Sequence, residues 1–274
     1  MKVVLDIGGT NTRIAVSDDG HTLRGVTKEP TPVNDPQEGI DMICRTVKRY
    51  GAVESIAGGI AGVLSKDKSE LIRSPNIEGW IGYPIKQELQ KRLGVGVVLE
   101  NDTAVVGLGE AHMGAGTSEG IFAYITVSTG VGGVRIVDGV VDRSTYGFEI
   151  GHQYIDLDRS ACVDCPDPGD LESYISGRSL QMRYNKKPYE ITDPRVWEEE
   201  ARFLAVGLAN TIVHWSPQVI VLGGSMIVGS PCIEMEHVIS HVRRLLTIFP
   251  ELPEFKKAQL DDRGGLYGAL MLTP

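Results

Sequence analysis

The sequence lacks an apolar run that approaches the ~20 residues needed for a membrane-spanning helix. It has four cysteines in 274 residues, too few and too unevenly spaced for a disulfide framework, so thiols or metal ligands are expected. Met1 and Lys2 lead directly into the first predicted strand, and we therefore expect no signal peptide and a cytoplasmic protein. These absences argue against a membrane protein and against a secreted, disulfide-rich protein.

The sequence also lacks an excess of basic residues. Its net charge is −9 and its pI is near 5.2, which argues against nucleic acid as a main partner. The apolar fraction of 42% and the charged fraction of 23% are those of an ordinary globular protein. The length is sufficient for one large domain or two medium domains with real cores.

The N-terminus contains a glycine turn between two short apolar runs, residues 3–5 and 14–16. Glycine allows the backbone to approach a polyphosphate closely, and successive N–H groups in such a turn bind anions. The alternative is an ordinary hairpin with a Gly-Gly turn. We predict a nucleotide phosphate site formed by Asp6, Gly8, Gly9, Thr10, Thr12 and Arg13.

Two common phosphate motifs are absent from this turn. No Gly-Lys-Ser/Thr follows the glycines, which excludes a P-loop, and the strand that follows them excludes a Rossmann fingerprint. Asp6, at the strand end, is suited to hold Mg²⁺ through water, because Mg²⁺ prefers oxygen ligands and keeps part of its hydration shell.

A second strand, glycine turn and strand occupy residues 121–137. Two such hairpins predict an α/β protein with two related halves and ligands at the strand ends. The second turn adds Ser128, Thr129, Gly130 and Gly132 to the predicted phosphate ligands. Strands are predicted at 2–7, 12–17, 22–29, 55–60, 95–99, 121–127, 134–137 and 219–222. Helices are predicted at 84–93, 103–113, 194–216 and 232–248. A further helix is predicted to begin at Pro36, and a last one to follow the glycines at 264, 265 and 268.

Asp102 is the candidate catalytic base. It lies where a buried strand gives way to a helix, so its carboxylate could accept a proton from a substrate hydroxyl during phosphoryl transfer. The alternative is that Asp102 is the helix N-cap, a position that aspartate fills well.

Three segments resemble the ROK family of sugar kinases and repressors, within the sugar kinase/actin-like ATPase superfamily. They are Asp-Ile-Gly-Gly-Thr-Asn-Thr-Arg at 6–13, Glu-Asn-Asp at 100–102 and Glu-Ile-Gly-His at 149–152. The resemblance covers residues 2 to about 272. It implies the actin-like ATPase (ribonuclease H-like) duplicated fold, with two domains flanking a cleft. The expected domains are 1–103, completed by a C-terminal helix at about 261–274, and 104–260.

The resemblance also implies a ligand set. It gives Asp102 the role of base and assigns sugar contacts to Asn76, Asn101, Asp102, Glu149, His152 and Glu172. It assigns adenosine contacts to Gly223, Gly224 and Ser225, which follow a predicted strand. Trp80 is expected to pack in the core rather than to stack on the sugar.

A cysteine loop departs from the family pattern. Many ROK proteins bind a structural zinc through three cysteines and the motif histidine, whereas this chain has Cys162, Cys165 and then Asp170. One hypothesis is zinc held by His152, Cys162, Cys165 and Asp170, because Cys-x₂-Cys is a common zinc half-site. The alternative is a pair of small buried residues without metal.

The implied function is an ATP- and Mg²⁺-dependent hexose kinase that phosphorylates a primary hydroxyl, with glucokinase as the first choice. N-acetylmannosamine, N-acetylglucosamine and fructose kinases of the same family are the alternatives. The opposing class is a non-catalytic sugar sensor or a transcriptional regulator, although the acidic charge and a phosphate hairpin that starts at Val3 argue against a DNA-binding domain. The expected partners are the hexose and a second copy in a homodimer, without nucleic acid or membrane.

Overall fold

The computed structural model describes residues 1–158, 160–162, 164–165 and 169–272. In chain order the elements are β1 (Lys2–Ile7), β2 (Asn11–Ser17), β3 (Arg24–Pro30), α1 (Pro36–Lys48), β4 (Ser55–Ile60), β5 (Val63–Leu64), β6 (Leu71–Arg73), α2 (Ile85–Leu93), β7 (Gly96–Asn101), α3 (Asp102–Met113), β8 (Ile121–Val127), β9 (Val131–Val137), β10 (Val140–Val141), α4 (Leu171–Ile175), α5 (Gly177–Tyr184), α6 (Pro194–Trp215), β11 (Val219–Gly223), α7 (Ser225–Val228), α8 (Met235–Leu245), β12 (Glu254–Lys257) and α9 (Gly264–Leu272).

The first sheet has the strand order β3-β2-β1-β4-β7. β1 and β2 form an antiparallel hairpin, whereas β1, β4 and β7 run parallel. In this register Ile7 lies opposite Ile60, and Ile60 lies opposite Asn101. The three parallel strands therefore end at the same edge of the sheet, where ligands of open α/β sheets bind.

The second sheet repeats this arrangement in the order β10-β9-β8-β11-β12. β8 and β9 form the antiparallel hairpin, and β8, β11 and β12 run parallel. The predicted pair of related halves is confirmed by this shared strand order, because the hairpin and the parallel strands occupy matching places in each sheet.

The chain forms two units, each with its own core. The first comprises Met1–Gly114, Val141–Gly147 and the C-terminal segment from Leu260, and the second comprises Ala115–Val140 and Phe148–Gln259. In the first unit β1 is buried on both faces at Val3, Val4 and Leu5. A strand covered on both faces has an almost continuous apolar sequence, as observed here.

Helix α1 shows how local sequence sets an element. The Asp35 carboxylate accepts a hydrogen bond from the backbone N–H of Glu38 at 3.0 Å, and Pro36 occupies the first turn. The apolar side chains at Ile40, Ile43 and Val47 lie on one face and are buried.

The structure corrects the prediction for the C-terminal glycines. Gly264, Gly265 and Gly268 lie inside α9 instead of leading into it. Helices α3 and α9 pack so closely that a Cβ on Gly268 would lie 1.7 Å from the Val105 carbonyl oxygen, and a Cβ on Gly109 would lie 2.5 Å from that of Gly264. The predicted end of this helix at residue 274 includes residues 273 and 274, which lie outside the described range.

Other differences are small or concern short elements. β9 begins at Val131 rather than at residue 134, because Val131 already pairs with Val127. Helix α8 is shorter than the predicted 232–248. β5, β6, α4 and α5 were not predicted, since two to eight residues give too little periodicity. Within the described residues, none of the helices has the length and apolar character to cross a membrane.

We expect Gly268→Ala to lower the free energy of unfolding by about 3 kcal/mol, since the added methyl group forces α3 and α9 apart. Chemical denaturation would measure the loss. The control is Gly96→Ala, where a Cβ would have nothing within 4 Å and a change of less than about 0.5 kcal/mol is expected. Equal effects from both substitutions would contradict the close packing of α3 and α9.

Candidate functional site

In the first unit, the predicted catalytic and phosphate residues follow the ends of parallel strands. Asp6 is the second-last residue of β1, and Asp102 directly follows β7. β4 lies between these strands, so their ends are about 10 Å apart. The structure thus brings the predicted phosphate turn and the predicted base to one edge of this sheet.

Asp6 is a largely buried carboxylate that is paired with a cation. Arg13 Nη1 lies 3.3 Å from Asp6 Oδ2, and Arg13 Nη2 lies 2.7 Å from Asp262 Oδ2. Burial raises the pKa of Asp6, and the Arg13 guanidinium partly opposes this effect. The side chain is 16% exposed, so its carboxylate retains limited access to solvent and to a hydrated Mg²⁺.

The glycine turn between β1 and β2 is braced from inside. Thr12 is fully buried and its hydroxyl bonds to that of Thr31 at 3.0 Å, while Thr31 Oγ1 donates to the Gly8 carbonyl at 2.7 Å. The Thr12 hydroxyl therefore faces the interior, and its predicted contact with phosphate stays a prediction. Thr10, by contrast, is exposed.

Asn76 lies against this turn. A Cβ on Gly9 would lie 2.7 Å from the Asn76 Cβ atom, so glycine permits the approach. Asn76 is exposed in a turn held by Ser74, whose hydroxyl accepts from the backbone N–H of Ile77 at 3.2 Å. Trp80, four residues later, is fully buried, and its predicted packing role is confirmed.

Asn101, rather than Asp102, caps helix α3. Its Oδ1 accepts from the Ala104 N–H at 3.1 Å, and its Nδ2 donates to the Gly62 carbonyl at 3.0 Å. Asp102 is half-buried in the first turn, and its Oδ1 accepts from the Thr103 N–H at 2.8 Å. The N-cap of the helix is thus Asn101, and Asp102 occupies the first helical position.

The sequence did not predict an ion pair made by Glu100, which lies two residues before Asp102. Glu100 is buried and forms an ion pair with Lys68, a residue with a positive φ of 55° in the turn before β6. Glu100 Oε1 also accepts from the Asn101 N–H at 3.0 Å. A lone lysine in a polar turn gave no sequence signal for this contact.

In the second unit, the second glycine turn meets the segment after β11. Parallel pairing of β8 with β11 places their ends together, and the hydroxyl oxygens of Ser128 and Ser225 are 3.1 Å apart. Gly224 has a φ of +86°, and a Cβ there would lie 2.2 Å from the Val127 carbonyl oxygen. The predicted phosphate and adenosine segments are therefore neighbours. Gly132 and Gly223 lie within strands.

His152 is the last residue of a short 3₁₀ turn, Ile150–His152, and Glu149 directly precedes this turn. His152 Nδ1 lies 2.8 Å from Asp170 Oδ2, and this hydrogen bond raises the pKa of His152. Burial raises the pKa of Asp170, but hydrogen bonds from His152 and Ser173 outweigh burial and hold it below its ordinary value. His152 is half exposed, so its ring remains accessible.

The structure corrects the prediction for the cysteine loop. Cys162 and Cys165 form a disulfide, with Cα atoms 5.4 Å apart, a separation that is normal for such a bond. Their sulfurs are therefore not the thiolate ligands that zinc requires, and Asp170 instead caps helix α4 by accepting from the Ser173 N–H. Over the ranges that the structure describes, no group of three or more His, Cys, Asp or Glu side chains could hold a metal ion. These residues do not fit the zinc hypothesis.

We expect Arg13→Met to destabilise the protein more at pH 8 than at pH 5. Without Arg13 the pKa of folded Asp6 rises further above its unfolded value, so the folded state loses stability as the pH rises through that raised pKa. The expected loss at pH 8 is about 2 kcal/mol, less than for a fully buried pair. Urea unfolding at both pH values would measure it.

The matched control is Arg195→Met, which breaks an exposed pair with Asp193. Here we expect little or no loss of stability, with no difference between the two pH values, because solvent screens an exposed pair. Equal losses at pH 5 and pH 8 for Arg13→Met would contradict the pairing of Arg13 with an Asp6 carboxyl whose pKa is raised by burial.

Comparison with known proteins agrees with this fold. The sequence matches the model of the ROK family over residues 2–274. It is 28% identical to an N-acetyl-D-glucosamine kinase of Escherichia coli O127:H6 over 97% of both chains. The structure resembles a ROK hexokinase from Thermus thermophilus, with 30% identity, a TM-score of 0.84 and coverage of 98% and 96%. It also resembles a Streptomyces griseus ROK glucokinase in complex with glucose and AMPPNP, with 27% identity, a TM-score of 0.80 and coverage of 99% and 98%.

These likenesses extend over nearly the whole chain and confirm the predicted actin-like ATPase fold with its duplicated α/β architecture. Together with the two matching sheets, they establish that the chain belongs to the ROK family.

Proposed function

We propose that this protein is an ATP-dependent sugar kinase that transfers the γ-phosphoryl group of MgATP to the primary hydroxyl of a hexose. The observation that carries the proposal is the position of Asp102, a half-buried carboxylate directly after β7 in a helix whose N-cap is Asn101. It shares its sheet edge with the glycine turn after β1. A general base beside a phosphate turn is the minimum that phosphoryl transfer to an alcohol requires.

In the proposed reaction, Asp102 accepts the proton of the sugar hydroxyl as that oxygen attacks phosphorus. Asp6 orients the hydrated Mg²⁺ of the nucleotide, and Arg13 holds Asp6 in place. The backbone N–H groups of the two glycine turns and the hydroxyls of Thr10, Ser128 and Ser225 bind the nucleotide. Because phosphoryl transfer needs little covalent chemistry from the protein, positioning and charge supply most of the catalysis.

The sugar ligands in the proposal are Asn76, Asn101, Glu149, His152 and Glu172. Carboxylates accept hydroxyl hydrogens, and the exposed half of His152 can donate or accept, which suits a polyhydroxylated ring. The Cys162–Cys165 disulfide lies in the chain segment that connects His152 to Glu172, two of these ligands.

The proposed substrate is a gluco-configured hexose, with glucose and N-acetylglucosamine as the two candidates. Glucose is proposed because the five sugar ligands named above suit the hydroxyls of a pyranose. N-acetylglucosamine is favoured by the similarity to N-acetyl-D-glucosamine kinases over 97% of the chain. A site that hydrogen-bonds particular hydroxyls rejects analogues that lack them, whereas the volume near the 2-position decides whether an acetamido group fits.

The test is an ADP-release assay with MgATP against glucose, N-acetylglucosamine, N-acetylmannosamine, mannose and fructose. We expect turnover that depends on the sugar, with either glucose or N-acetylglucosamine giving the largest kcat/KM. Asp102→Asn should lower kcat by about 10²–10⁴-fold, because the amide cannot accept the proton.

The control for Asp102→Asn is Asp193→Asn, since asparagine also caps helices well and Asp193 is the exposed cap of α6. Its kcat should equal that of the wild type. Sugar binding detected by calorimetry without turnover on any sugar would overturn the kinase proposal in favour of a sugar sensor.

A further inference from the structure

One short segment holds the second phosphate turn from both ends. We define the phosphate turn as Ser128–Gly130 and the clamp segment as Glu172–Arg178. The N–H of Gly177 donates to the Ser128 carbonyl at 2.7 Å, and the N–H of Arg178 donates to the Thr129 carbonyl at 3.3 Å. At the other end, Glu172 Oε2 accepts from the N–H of Val131 at 2.8 Å.

These bonds orient the peptide groups of the phosphate turn. A trans peptide is planar, so its C=O and the following N–H point in opposite directions. Because the carbonyls of Ser128 and Thr129 point toward the start of α5, the N–H groups of Thr129 and Gly130 point away from it. Adjacent N–H groups with this orientation form an anion-binding concavity. The clamp segment therefore sets the geometry of the nucleotide contact.

The Glu172 carboxylate lies directly against the turn. A Cβ on Gly130 would be 2.7 Å from Glu172 Oε2 but 3.8 Å from Oε1. Oε2 is therefore the oxygen committed to the turn, and Oε1 is the more distant one. A carboxylate has lone pairs on both oxygens, so it can hold the Val131 N–H and a substrate hydroxyl at the same time.

We propose that Glu172 couples the sugar site to the phosphate turn, so that sugar bound at Oε1 tightens nucleotide binding through Oε2. The inference rests on the proposed function, because it takes Glu172 as a sugar ligand. A hydroxyl on Oε1 fixes the carboxylate, the fixed carboxylate holds the start of β9, and the ordered turn then presents its N–H groups to phosphate.

Such coupling is reciprocal, so the nucleotide tightens sugar binding by the same factor. It also favours phosphoryl transfer to sugar over hydrolysis of ATP by water, because a sugar hydroxyl on Oε1 keeps Oε2 on the Val131 N–H.

The test is calorimetric titration of the Mg²⁺ complex of AMPPNP, with and without saturating sugar, using glucose and N-acetylglucosamine. We expect the sugar that supports turnover to lower the Kd of the wild type for AMPPNP by about tenfold. In Glu172→Gln the factor should fall below twofold, because one carboxylate oxygen becomes an NH₂ donor. The control Glu236→Gln removes an exposed carboxylate from α8 and should keep the tenfold factor.

A second variant separates coupling from sugar binding. Gly130→Ala leaves the Glu172 side chain intact, but its methyl group would displace Oε2 from the Val131 N–H. We expect the coupling factor to fall below twofold in a variant that still binds sugar, which calorimetry with the sugar alone would check. A tenfold factor retained in Gly130→Ala would overturn the proposal, even if Glu172→Gln no longer binds sugar.

The two proposals fail in different ways. A wild-type protein that phosphorylates a sugar but shows a coupling factor near one overturns the role of Glu172 and leaves the kinase intact. A wild-type protein without sugar-dependent turnover overturns the proposed function itself.

Discussion

Parallel pairing of neighbouring strands is the constraint on which the candidate site depends. In a parallel pair the strands end at the same edge, so the residues that follow them become neighbours even when they are far apart in sequence. β1, β4 and β7 bring Asp6 and Asp102 to one edge of the first sheet. β8 and β11 do the same for Ser128 and Ser225 in the second sheet.

The two sheets have the same strand arrangement, but different side chains support the glycine turn in each. Each sheet starts its parallel set next to an antiparallel hairpin whose turn contains glycine. In the first unit the turn is braced by the buried hydroxyls of Thr12 and Thr31, whereas in the second the clamp segment holds it through backbone bonds and Glu172. The duplicated backbone thus leaves side chains free to specialise.

Glycine provides more than turn flexibility in this chain. Because these positions lack a Cβ, Asn76 can approach Gly9, the Glu172 carboxylate can approach Gly130, and the α3 backbone can approach Gly268. In each case a Cβ would lie within 3 Å of a neighbouring atom, closer than real side chains approach. These glycines therefore control which groups meet, and a sequence pattern shows the glycine without showing the group it admits.

The sequence by itself determined the long elements, the duplicated α/β class and the family, because apolar periodicity and the motifs at 6–13, 100–102 and 149–152 are local signals. It also placed Trp80 in the core. Short elements such as β5 and α4 escaped prediction, since a few residues carry no period.

Only the tertiary structure decided which polar groups are committed to other partners. It turned the Thr12 hydroxyl inward, made Asn101 the helix cap, and joined Cys162 to Cys165. It also set the Glu172 carboxylate on the phosphate turn. The physical reason is that hydrogen bonds and burial depend on contacts between distant segments, which are fixed by strand register and helix packing rather than by neighbouring residues in the chain.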